Sequence, residues 1–135
     1  MNILFLGGDK RYKYLMEKLT KEYKIFQIGF DNLEYAQKLN IQDIDLFQYD
    51  VVVFPISGIN DKQEIKCENG NLYLPYNLFL KISEKTSFYT GVKTNRLLEL
   101  IPNKQLTSFL DFEEVKEVND NLIEKLDLDF IIFQR

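Results

Sequence analysis

The sequence predicts an α/β fold: a three-layer domain on a mostly parallel sheet of about five strands. Three observations point there. Short apolar runs such as Ile3–Leu6 and Val51–Phe54 end at Gly7 and Pro55. Segments with helical spacing follow several of these runs, and the connections between them are short. The 135 residues suffice for one domain with its own core, and no internal repeat or linker divides residues 1–135.

The opening stretch, Asn2-Ile3-Leu4-Phe5-Leu6-Gly7-Gly8-Asp9-Lys10-Arg11, reads as a buried strand feeding a crossover helix. Asp9 stands at the N-cap of that helix, predicted from Lys10 to Glu22, and Tyr12, Leu15, Met16, Leu19 and Tyr23 make its core stripe. Lys24–Ile28 reads as the second strand, ending at Gly29-Phe30-Asp31. A short helix is expected over Asn32–Leu39 and one more turn over Asp43–Tyr49. Val51-Val52-Val53-Phe54 is the clearest strand, β-branched and suited to burial on both faces. Pro55-Ile56-Ser57-Gly58 opens a loop after it.

Asn69-Gly70 then signals a small hairpin between Glu64–Cys67 and Leu72–Leu74, expected to project from the sheet. A helix is predicted from Pro75 or Tyr76 to Ser83, a strand over Thr86–Thr90, and a helix from a Thr94 cap to Leu100. Gln105–Leu110 reads as the last parallel strand. Asp111 and Glu114 have capping-box spacing, opening a helix whose face is Phe112, Val115, Val118, Leu122 and Leu126. Leu128–Phe133 either closes the sheet or packs outside it. Together these elements describe a Rossmann-like or flavodoxin-like domain with a hairpin excursion, and right-handed crossovers gather Gly7-Gly8, Gly29, Pro55–Ser57 and Gly91 at one carboxyl edge.

Composition narrows the chemistry. There is no histidine, which removes Ser-His-Asp and Cys-His nucleophile systems, and the single cysteine, Cys67, reads as a strand residue. A net charge of -4 offers no basic stripe for nucleic acid. No apolar run approaches the ~18–20 residues of a membrane span, and no leader is expected before the first strand, so the expected compartment is the cytoplasm.

Gly7-Gly8 is not a dinucleotide fingerprint. Asp9 and Lys10 follow it where Gly-x-Gly-x-x-Gly needs bare backbone, and a carboxylate at the cap repels a phosphate. A stand-alone nucleotide binder is disfavoured for that reason. Arg11 has two readings: pairing with Asp9 or Asp31 to stiffen the corner, or offering its fork to a small carboxylate or a neighbouring domain. Asp31 itself is expected to face water or Arg11. Ser57, without a histidine, is a binding hydroxyl or a turn residue. Lys93 and Arg96 either add charge to the same edge or sit as solvated residues near a helix start.

These motifs in this order resemble the amino-terminal domain of the dipicolinate synthase A subunit, a sporulation protein of Gram-positive endospore formers. The resemblance rests on Gly7-Gly8-Asp9-Lys10-Arg11, Gly29-Phe30-Asp31, Val53-Phe54-Pro55-Ile56-Ser57-Gly58, the extended segment Ile65–Leu74 and Thr90-Gly91-Val92, and runs to about Val118. It implies that Gly7, Gly8, Asp9, Arg11, Ser57 and Gly91 line the substrate side of a cleft. It also implies that NADP binds a separate Rossmann domain, that the partner is a flavoprotein-like B subunit, and that a small dicarboxylate is the ligand. The family continues with an Asn-x-x-Pro-Thr-x-Glu-Gly-like segment, whereas Asn119 is followed here by Asp120-Asn121-Leu122-Ile123-Glu124. The expectation is a substrate-side or partner-docking domain that serves dipicolinate synthesis without a complete active site of its own. The alternative is an interaction or regulatory domain that keeps the fold and has lost the site.

Overall fold

Alternate residues of the two central strands serve opposite faces of the sheet. In this computed structural model, which describes residues 1–108, Ile3, Phe5, Val51 and Val53 pack in one cluster, while Leu4, Leu6, Val52 and Phe54 pack in another. The strands are β1 (Asn2–Leu6), β2 (Lys24–Ile28), β3 (Gln37–Lys38), β4 (Val51–Val53), β5 (Glu64–Cys67), β6 (Gly70–Tyr73), β7 (Ser87–Thr90) and β8 (Leu106–Ser108). Six of them form one sheet in the order β3-β2-β1-β4-β7-β8, and every neighbouring pair is parallel. The remaining pair, β5 and β6, is an antiparallel hairpin.

The first helix, α1 (Lys10–Leu19), covers one face through Tyr12, Leu15, Met16 and Leu19. It stops before the predicted Glu22 because the amides of Glu22 and Tyr23 both turn back to the Leu19 carbonyl. That turn returns Tyr23 to the core. The other face is covered without long helices. Leu46 from a 3-10 turn, Ile65 from the hairpin, Leu78 and Phe79 from a second 3-10 turn, and Leu97 from α2 (Asn95–Leu100) share that cluster. Thr94 caps α2 as the sequence predicts, accepting from the Leu97 amide.

Two predicted helices are absent. Asn32–Leu39 instead passes through Asn32 at φ 62° and ends as β3, the strand that raises the count from five to six. Gln27 enforces this by bonding both the amide and the carbonyl of Phe30, whose side chain is fully buried. Pairing with β2 then outweighs the helical propensity of the segment. The Pro75–Ser83 stretch forms only the 3-10 turn Tyr76–Phe79. Its core anchors, Leu78 and Phe79, are adjacent rather than three or four apart, so one tight turn buries both.

The hairpin exists where Asn69-Gly70 announced it, but it does not project. The Gly8 amide donates to the Lys66 carbonyl at 2.9 Å, laying β5 against the end of β1. Lys13 pairs with Glu68 at 2.5 Å, and the Asn69 amide reaches Asp31 at 2.6 Å, so the hairpin tip is tied down on two sides. The part of the Gln105–Leu110 strand beyond Ser108, the Asp111–Leu126 helix and the Leu128–Phe133 segment lie outside the described residues.

Leu4→Ala, at a side chain with no exposure, should cost about 2–5 kcal/mol in a denaturant titration. Leu98→Ala, at a residue 43% exposed, should change stability by about 0.5 kcal/mol or less.

A candidate ligand cleft at the switch point

Winding reverses between β1 and β4. From β1 the chain moves to β2 and β3 on one side, and then crosses back to β4 on the other. Crossovers of one hand then leave on opposite faces, and a crevice opens beyond the strand ends. A cleft of about 350 Å³ lies there. Gly8, Asp9, Arg11 and Tyr12 contribute from the β1–α1 corner, Pro55, Ile56 and Ser57 from the loop after β4, and Lys66 and Cys67 from the hairpin.

Tyr12 links the two sides of this crevice. Its buried hydroxyl donates to the Phe54 carbonyl at 3.2 Å, tying the first turn of α1 to the end of β4, and its ring stands edge-on to Phe5. Burial pushes its hydroxyl well above the usual tyrosine range, so it stays a donor. Asp9 caps α1 by accepting from the Arg11 amide at 3.0 Å. The same carboxylate takes the Arg11 Nε at 3.1 Å to each oxygen and Nη2 at 2.5 Å. Hydrogen bonding to Arg11 holds the Asp9 carboxyl below its ordinary 3.8, and Asp9 in turn raises the guanidinium. One edge of the fork is therefore committed. Nη1 has no hydrogen-bond partner among the described residues, and Arg11 lines the cleft.

Of the residues singled out in the sequence, Gly8, Asp9, Arg11 and Ser57 meet in the cleft. Gly7 and Gly91 stand behind it. A Cβ on Gly7, at φ +73°, would lie 2.6 Å from the Lys66 carbonyl oxygen, and one on Gly91 would collide with the Ile56 backbone. Both glycines allow other chain segments to approach closely, and neither is among the residues lining the cleft. Asp31 is not beside Arg11. It holds Lys38 at 2.6 Å and Asn69, and Lys38 lowers its carboxyl.

Lys93 and Arg96 do not line the cleft: Lys93 bonds Asn103, and Arg96 holds the Asp61 carbonyl and Glu99. Burial raises the Cys67 thiol, which keeps it protonated and a poor nucleophile. Lys66 is the charged lining residue that sequence reasoning missed, alongside Tyr12, read as core, and Cys67, read as a strand residue. The spacing of Lys66 marks it only as a hairpin residue, and the docking that brings it here is a long-range contact. Among the described residues no cluster of acidic residues and cysteine is arranged to hold a metal ion, and no helix is long and apolar enough to cross a membrane.

The sheet order and the cleft at the winding reversal define a Rossmann-like α/β domain. Within that class, residues 2–110 match the family of the N-terminal domain of the dipicolinate synthase A subunit, and the chain belongs to that family. Crystal structures of the dipicolinate synthase A subunit from Bacillus halodurans and of its counterpart from Bacillus subtilis share the fold. Their TM-scores are 0.73 and 0.74, at 23% and 22% sequence identity. The matches cover 84% and 86% of this chain and 42% of each of those chains, so it spans less than half their length. No curated protein matches it in sequence.

The depressed Asp9 value carries a sign that can be tested. A carboxyl lowered in the folded state adds stability above its unfolded value and loses it as pH falls through the folded value. In Arg11→Gln, an NMR titration should find the Asp9 midpoint moved up toward 3.8. The stability gap between the two proteins should close as pH falls below that midpoint, and should be small throughout because the pair is largely solvated. Identical midpoints would show that Arg11 is not the cause.

Proposed function

We propose that this chain forms the substrate-side half of a dipicolinate synthase-type cleft, with Arg11 as the anchor for a carboxylate of the substrate and Ser57 as a hydrogen-bonding neighbour. The observation that carries this reading is the uncommitted edge of Arg11 in the switch-point cleft of a member of this family. A guanidinium with one edge fixed by Asp9 is pre-oriented, so less side-chain freedom is lost when a carboxylate docks on the other edge.

On this reading the chain has no complete active site. NADP would sit on a separate Rossmann domain, because the Gly8 amide is already given to Lys66 and Asp9 places a negative charge where a pyrophosphate would dock. A flavoprotein-like B subunit would complete the oxidation of a dihydrodipicolinate-type precursor, in the cytoplasm of a sporulating cell. The competing reading is an interaction or regulatory domain that keeps the fold without the site. It draws on Asp9, which already takes three hydrogen bonds from the guanidinium.

Thermal melting of the purified chain with dipicolinate and with NADP separates the two. A ligand at about 100 times its dissociation constant stabilises a protein by about 2.7 kcal/mol, enough to raise the midpoint by several degrees. Dipicolinate should do so, Arg11→Ala should abolish the effect, and NADP alone should leave the midpoint unmoved. No response of the wild type to dipicolinate would favour the competing reading.

A further inference from the structure

We propose that Lys66 is the second anion-binding group of the cleft and sets its preference for a ligand with two carboxylates over one with a single carboxylate. The inference rests on the cleft being the dicarboxylate site.

Three features of the hairpin support it. The backbone of Lys66 is fixed, since its carbonyl accepts from the Gly8 amide and its strand neighbour Ile65 is 1% exposed. The hairpin tip just beyond it is tied to α1 through Glu68 and to the loop after β2 through Asn69. The residue is exposed, unlike Ile65, and it lines the same cleft as Arg11 and Ser57, so its flexible side chain starts from the cleft rim. Its ammonium has no ion-pair partner among the described residues, whereas Lys13, Lys38 and Arg96 each hold a carboxylate.

Charge explains why a second cation matters. Asp9 and Arg11 neutralise one another, and the exposed Asp9 carboxylate repels any anion approaching the open edge of Arg11. A ligand with one carboxylate meets that repulsion with a single guanidinium edge. A ligand with two can place the second on Lys66, whose flexible stem and rotatable donors adapt to its position. Pro55 and Ile56 supply apolar surface in the cleft for the ring between the two groups.

Calorimetric titration of the 135-residue chain with dipicolinate and with picolinate, which carries one carboxylate, tests this directly. The wild type should prefer dipicolinate. Lys66→Met should weaken dipicolinate by about tenfold, or about 1.4 kcal/mol, while changing picolinate by about twofold or less. Lys66→Arg should restore the preference. If Lys66→Met weakens both acids equally or neither, the role of Lys66 is overturned while the cleft stands. If the wild type binds neither acid, the cleft reading fails and this inference fails with it.

Discussion

The hydrogen bond from the Gly8 amide to the Lys66 carbonyl organises the carboxyl edge of this domain. In a nucleotide-binding turn, the amides at the start of the helix are left open for phosphate. Here a strand of the chain itself takes one of them, and Asp9 takes the Arg11 amide. Gly7 makes this possible by having no side chain where the Lys66 carbonyl comes down. The consequences run outward from that contact. The hairpin becomes a wall rather than an excursion, the Gly8 amide is taken by the chain itself, and a cleft is left between the β1 corner and the loop after β4.

Electrostatics inside that cleft concern position more than stability. Asp9 and Arg11 are both partly solvated, with side chains 52% and 31% exposed, and such pairs contribute little to folding. Their effect is to fix the orientation of a guanidinium. The rigid backing comes from buried groups: Tyr12 on Phe54, and Thr90 on the Val92 carbonyl at 2.9 Å beside Gly91. A solvated pair on a rigid base suits a group that must be oriented yet accessible.

Much of this was legible in the sequence wherever local pattern and tertiary role agree. The strands at Ile3–Leu6, Lys24–Ile28 and Val51–Val53 announce themselves by apolar runs, and Asp9 and Thr94 cap the helices that follow. The meeting of Gly8 with Ser57 follows from strand ends and crossover hand, whereas Asp9 and Arg11 join them as cleft residues through the family resemblance. What failed depended on distant partners. Asn32–Leu39 has helical composition, yet Gln27 and the free edge of β2 draw it into a strand. Tyr76–Phe79 looks like the start of a helix until the core demands two adjacent anchors. Lys66 carries no local sign of its place, because the hairpin's direction is set by Gly8, Lys13 and Asp31, all far earlier in the chain.

The most direct test is amide hydrogen exchange at Gly8, followed residue by residue in the full chain. The account predicts that this turn amide is protected to the degree of the Leu4 amide inside β1, since the Lys66 carbonyl holds it. Exchange at the rate of an exposed turn amide would mean that the hairpin does not seat on the β1 corner, and the cleft wall it forms would be contradicted.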